Sequence, residues 1–174
     1  MTATGHPRFG PESGTTLVET VVASALFLVV ATGLLSTIPV ATAITENQGH
    51  LGARTTEYAQ DKMEQLLVLA YGDTTSDTRV FPATAAGGTG LAVGGSSDPA
   101  APATGYVDYL DANGNLLTAI GITPPNGWLY KRVWAVSTPS TNLKQVTVSA
   151  TAASSIGGAL LPRSTLVALK TFPF

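Results

Sequence analysis

The chain is expected to adopt an α+β fold, and three features of its 174 residues point there. An uncharged apolar run lies near the N-terminus, an amphipathic stretch at helical spacing continues it, and the C-terminal half alternates as strands do. Together they predict one long helix from about Thr16 to Tyr71. Its second half would pack on an antiparallel sheet of about four strands.

The apolar run comes first. No charged residue occurs from Thr20 to Thr45, between Glu19 and Glu46. As a helix rising about 1.5 Å per residue the run is roughly 39 Å long, enough to cross a hydrocarbon core of about 30 Å. Val21, Val22, Leu26, Phe27, Leu28, Val29, Val30, Leu34 and Leu35 supply the bulk, and Gly33 and Pro39 interrupt it. Pro39 has no amide proton and its ring crowds the carbonyl four residues back, which predicts a kink or a locally unwound turn. Glu19 is the oddity, a lone carboxylate just inside the first turn, where burial without a partner is costly.

After Pro39 the pattern resumes with Leu51, Thr55, Tyr58, Ala59, Met63, Leu66, Leu67 and Ala70 on one stripe. Glu57, Asp61, Lys62 and Glu64 fall mostly on the opposite side, and Gly72 reads as the stop. Residues 82–105 are rich in Gly, Ala, Pro, Ser and Thr and read as a long surface loop, whose hydroxyls permit O-glycosylation. "GYVDYL" and "NLLTAI" flank "DANG", a hairpin signal because Asn-Gly accepts positive φ angles. "WLYKRVWAV" carries bulk on both faces. "LKQVTVSA" sets Val146, Val148 and Ala150 against Gln145, Thr147 and Ser149, and "STLVALKTF" closes the set.

Composition narrows the function. With 9 Lys+Arg, 11 Asp+Glu and a net charge of -2, the chain lacks the basic excess that would make nucleic acid its main partner. A mean hydropathy of +0.25 fits one embedded segment. Cysteine is absent, which removes disulfides, thiolate nucleophiles and Cys-based metal sites.

Three accounts of the N-terminus compete. A plain membrane anchor explains the length but not Glu19. A secretory signal would use Ala41-Thr42-Ala43 as its cleavage site, but the apolar region exceeds the usual 7–15 residues and the leader has only Arg8 as firm positive charge. In the third account, residues 13–19, "SGTTLVE", together with the run behind them resemble the processing site of type IV prepilins and pseudopilins. That resemblance implies cleavage after Gly14, methylation of the new amine of Thr15, and placement of Glu19 at the fifth mature position. Thr16, Leu17 and Val18 match the family's preferred types, whereas Thr15 stands where the family usually has Phe or Met. In such filaments the Glu is neutralised by the free N-terminus of a neighbouring subunit, which would make Glu19 an assembly residue. The local alternative is a carboxylate that merely complements the helix dipole.

The likeness extends into the rest of the chain. The helix ending "DKMEQLL", the strand Tyr130-x-Arg132-x-Trp134-x-Val136 and the two strands after it are similar to minor pilins of the PilV kind and to minor pseudopilins of type II secretion. The implied organisation is a cleaved leader at 1–14, a transmembrane and filament-core helix at 15–45, and a globular pilin domain at 46–174. The implied partners are other pilin or pseudopilin subunits, a prepilin peptidase, an inner-membrane assembly platform, and lipid before assembly. The implied location is the inner membrane, single pass, and then a periplasmic or cell-surface filament. The competing readings are a single-pass membrane-anchored binding domain that never polymerises and a DNA-uptake pseudopilin.

Other sites are weaker. Asp111, Asn113 and Asn115, with Asp108 nearby, resemble the start of a calcium loop, but Ile122 occupies the position of the bidentate Glu. No cofactor is implied. His6 lies in the presumed leader, His50 has no Ser or acidic partner at a telling spacing, and no Gly-rich phosphate loop is present, so catalysis is not expected. Lys131, Arg132, Lys144, Arg163 and Lys170 can gather on the sheet, where they read as solvated surface rather than as a nucleic-acid interface.

Overall fold

The computed structural model describes residues 16–79, 82–84, 86–117, 121–154 and 161–172. Helix α1 spans Leu17–Val68. Six strands follow: β1 (Gly94–Gly95), β2 (Val107–Leu110), β3 (Leu116–Leu117), β4 (Tyr130–Ser140), β5 (Leu143–Ala152) and β6 (Arg163–Thr171). They form one antiparallel sheet in the order β3-β2-β4-β5-β6, with β1 added against β4 beyond β2. The chain divides into two compact units, Met1–Ala43 and Ile44–Phe174.

In the first unit the helix runs unbroken through Gly33 and Pro39, so the unwound turn expected there does not form. The lost proline donor affects one hydrogen bond only, and hydroxyls reinforce the turns around it. Ser36 donates to the Gly33 carbonyl at 2.8 Å, Thr37 to that of Leu34 at 2.7 Å and Thr42 to that of Ile38 at 3.0 Å. Thr20, Ser24 and Thr32 fold back in the same way. Every one of these hydroxyls is therefore satisfied within the helix, as an apolar surrounding requires.

In the second unit the helix buries Thr55, Tyr58, Ala59, Lys62, Met63 and Leu66. All six follow a three-and-four spacing, and Lys62, four residues after Tyr58 and four before Leu66, lies on this stripe rather than on the opposite side where the sequence reading set it. The helix stops at Val68, earlier than Gly72, and Ala70 is exposed. The core joins Tyr58, Ala59, Met63 and Leu66 to Leu110, Tyr130, Trp134, Val136, Val146, Val148 and Ala150. Register explains this set. Trp134 pairs with Val148 and Val136 with Val146, so the inward residues of β4 and β5 share one face. The aromatic rings of Tyr58 and Tyr130 meet edge to face at 4.9 Å, which ties helix to sheet. The second face of the sheet is also covered in part, because Tyr109 and Val133 are fully buried there.

The sheet is larger than the expected four strands: β3 lies within "NLLTAI" and pairs with β2 as the hairpin reading expected, whereas β1 is a two-residue strand with too little alternation to be read. β1 arises inside the supposed loop 82–105. Gly95, at φ +85°, lies so close to the Trp134 carbonyl and the Tyr106 ring that a β-carbon would clash, and only glycine lets this segment pair with β4. The same region is pinned elsewhere. Leu91 is fully buried, and its N–H donates to the Asp73 carbonyl at 2.7 Å.

Candidate functional site

Two regions concentrate chemistry. The first is the N-terminal part of α1. Thr16 precedes the helix, and the Glu19 N–H donates to the Thr16 carbonyl at 2.9 Å and approaches its Oγ1 at 3.4 Å. Thr16-Leu17-Val18-Glu19 thus has the Thr-x-x-Glu arrangement of a capping box, and Glu19 is the acidic residue of the first turn. Glu19 makes no ion pair among the described residues. Gly14 and Thr15, the expected cleavage and methylation positions, lie outside the described residues.

Beyond this cap the helix exposes apolar side chains all round, from Leu17 and Val18 through Phe27, Val29 and Leu35 to Val40. Its most apolar window has a mean hydropathy of 2.3 and buries none of its residues. This single helix is long and apolar enough to cross a membrane. At roughly 25 cal/mol per Å² such a surface is costly to leave in water.

The second region is an ionic cluster between α1 and the sheet. Lys62 Nζ lies 2.8 Å from Asp108 Oδ2, and the two side chains are 0% and 1% exposed. Its remaining protons go to Thr78, at 2.7 Å to Oγ1 and 3.3 Å to the carbonyl. Arg132 donates from Nη2 to the same Asp108 oxygen at 3.0 Å and from Nη1 to Asp61 Oδ2 at 2.6 Å, carrying the network to the surface. The Lys62 ammonium also sits 4.0 Å from the Trp134 ring centroid. Two cations and two carboxylates balance. Burial opposes the Asp108 carboxylate, but the attraction of Lys62 and Arg132, with their hydrogen bonds, holds its pKa below the ordinary value. For Lys62, burial lowers the pKa against the pull of Asp108.

These placements correct two sequence expectations. Lys62 does not belong to the solvated side of the helix. Arg132 and Lys144 are buried rather than part of a solvated basic face. Lys144 donates to the carbonyls of Tyr71 at 2.7 Å and Leu91 at 2.8 Å, and Lys170 donates to that of Leu67 at 2.6 Å. Two sheet lysines therefore serve the carbonyls at and just past the C-terminus of α1, where its dipole favours cations. Of the other two cations, Lys131 lies 5.6 Å from the Trp128 ring centroid and Arg163 donates to the Ser97 carbonyl at 2.9 Å. The five cations thus do not assemble into a basic surface.

The four residues of the weak cation loop are not brought together as ligands. Asp108 faces the ionic cluster. Asp111 closes its own turn, accepting from the N–H groups of Asn113 at 2.8 Å and Asn115 at 2.9 Å and from the Asn115 side chain at 3.0 Å. Those bonds, that of the Asn115 side chain first, keep the Asp111 pKa below normal. Gly114 alone in this turn has positive φ, at 83°, so Asn113 does not adopt the conformation that the Asn-Gly signal implied. Among the described residues no group of three His, Cys, Asp or Glu side chains is placed to hold a metal ion.

A signal for the buried cluster did exist. Asp108 and Arg132 are register partners on adjacent strands, and Arg132 occupies an inward position between Tyr130 and Trp134. A charge on an inward stripe needs an opposite charge facing it. Comparison of the chain with protein-family models, curated proteins and solved structures finds no match.

Proposed function

We propose that the chain is a structural subunit of a type IV pilus-like filament, a minor pilin or pseudopilin. In this reading it enters the inner membrane through α1, is cut after Gly14, and assembles by packing of its apolar helix against those of other subunits. The observation that carries the reading is the conjunction of Gly14 and the Thr16–Glu19 motif with an apolar helix that buries nothing against its own chain. Such a surface suits two environments in turn, because what lipid covers before assembly neighbouring helices cover afterwards. Glu19 would then pair with the Thr15 amine of a neighbour, and a carboxylate in an apolar environment without that partner would cost several kcal/mol.

The test is intact-mass and N-terminal analysis of native protein from membranes and from sheared filaments. The expected chain begins at methylated Thr15. A chain beginning at Met1 in filaments overturns the processing step, and one beginning at Ile44 indicates a secretory signal instead.

A second reading has one observation in its favour. Glu19 is the acidic residue of the first turn of α1, where the helix dipole favours a carboxylate, so the carboxylate does not by itself demand a neighbour. In that reading the chain is a single-pass anchored domain that does not polymerise, and its N-terminus remains intact.

A further inference from the structure

The two edges of the sheet differ. One is closed by β1 and β3, of two residues each, and strands so short offer little for another chain to pair with. The other is β6, nine residues long, in unbroken register with β5 and without proline between Arg163 and Thr171. Its hydrogen bonds show which main-chain groups stay free. The Ala152 N–H donates to the Pro162 carbonyl and the Phe172 N–H to the Asn142 carbonyl. Hydrogen-bonded pairs alternate along an antiparallel ladder, so the even-numbered residues of β6 turn their main-chain groups toward β5. Arg163, Thr165, Val167, Leu169 and Thr171 turn theirs away, and among the described residues no main-chain hydrogen bond meets them.

The same five residues are exposed, and Val167 and Leu169 are each 60% exposed. Water can satisfy the free groups singly, but another extended main chain matches their spacing along the whole strand. Charge narrows the partner. From Leu161 to Phe174 the chain has no carboxylate side chain, and its cations are Arg163 and Lys170. Lys170 donates to the neutral Leu67 carbonyl, and Arg163 has Asp98 only at 4.0 Å. A second copy of β6 would bring two more cations to this edge, so an acidic strand is the better fit.

We propose that β6 accepts an extended acidic segment of another protein as an added strand, hydrogen-bonded to the outward groups of Arg163, Thr165, Val167, Leu169 and Thr171. The added strand runs antiparallel, the sense that is more stable per residue. This edge lies in the second unit and does not depend on how the N-terminal apolar run is used.

The probe is a synthetic peptide with blocked ends, matching β6 in length, alternating Thr with Val and carrying a Glu near each end. It is titrated to about 5 mM, because a short peptide that must become ordered binds weakly, into isotope-labelled full-length protein in detergent micelles. Amide exchange is followed residue by residue. At saturation the N–H groups of Thr165, Val167, Leu169 and Thr171 should exchange at least about tenfold more slowly. Those of Ser164, Leu166, Ala168 and Lys170, already turned to β5, should not change. The peptide with every amide N-methylated cannot donate and should have no effect. Val167→Pro should abolish the slowing and leave the β5 ladder intact, since the Val167 N–H does not point to β5. Outward amides unmoved by the acidic peptide overturn the proposal. So does equal slowing by the N-methylated peptide or by a counterpart with Lys for Glu. Outward amides that are slow without peptide and quicken as the protein is diluted would put a second copy on the edge, and overturn it as well.

Discussion

Lys62 Nζ and Asp108 Oδ2 meet at 2.8 Å with both side chains shut away from solvent, and Arg132 reaches the same oxygen at 3.0 Å. Attraction between such charges is offset by the cost of taking them out of water, so the cluster specifies which strand lies against which helix turn more than it stabilises the fold. Removing one member exposes that balance. Lys62→Met leaves Asp108 with Arg132 alone and is expected to destabilise the folded domain by about 3–5 kcal/mol, read from the denaturant midpoint of the full-length chain in micelles. Adding Asp108→Leu to Lys62→Met should cost less than the two single changes summed. Additive losses would show that the pair is not coupled.

Asp108 also sets an acid limit. Its folded pKa lies below the ordinary carboxylate value, so the unfolded chain binds more protons in that range and stability rises with pH there. The contribution is complete above the usual carboxylate pKa of about 4 and is lost as pH falls through the lower folded value. Thermal unfolding between roughly pH 6 and 2 should show the loss, and Asp108→Asn should flatten that limb. An identical acid slope in the variant would assign it to Asp73, Asp77 and Asp111, whose folded pKa values are also lowered.

The end of α1 depends on the sheet. Lys144→Met removes two donors from the carbonyls of Tyr71 and Leu91, and at about 1–3 kcal/mol for buried groups left unpaired it should cost more than Lys170→Ala, which removes one bond at a partly exposed site. Hydrogen exchange in the last turn of α1 should accelerate in both variants. Unchanged protection there would mean that the lysines do not hold the turn.

The helix and the main strands were legible because burial on one face leaves a period, and Tyr58, Met63 and Leu66 or Val146, Val148 and Ala150 display it. Lys62 was not legible. Its position four residues after Tyr58 and four before Leu66 puts it on the buried stripe, but a charge there is tolerable only because Asp108 and Arg132, far along the chain, meet it, and one helix's periodicity does not show those partners. β1 escaped for the opposite reason: two glycines have no side chains to alternate, and only the close approach of the Trp134 carbonyl explains them. At the N-terminal site the Thr-x-x-Glu spacing of Thr16 and Glu19 is legible in the sequence, whereas the approach of the Glu19 N–H to Thr16 Oγ1 emerges only in the fold.

The proposed membrane residence rests on the exposed apolar surface of α1. Val30 is near the middle of that stretch and 60% exposed. Val30→Arg should cost about 2.5–3.5 kcal/mol of insertion free energy and move much of the chain from the alkali-resistant membrane fraction to the soluble one. If wild-type protein is itself recovered in the soluble fraction, lipid is not what covers this helix.

Glu19 allows capping and charge pairing to be told apart with one atom exchanged. Glutamine at this position supports a capping box as glutamate does, because its side-chain oxygen can still reach the helix start. It cannot pair with an ammonium group as an ion. If Glu19 serves only the helix terminus, Glu19→Gln should behave as wild type and Glu19→Ala should lose a few tenths of a kcal/mol of helix stability. If Glu19 meets the Thr15 amine of another subunit, both variants should insert normally into the membrane and both should be depleted from filaments, by tenfold or more for each roughly 1.4 kcal/mol of lost pairing. The measurement is the ratio of filament-bound to membrane-bound protein in cells expressing each variant. Incorporation of Glu19→Gln at the wild-type level would leave the capping role standing and remove the intersubunit ion pair.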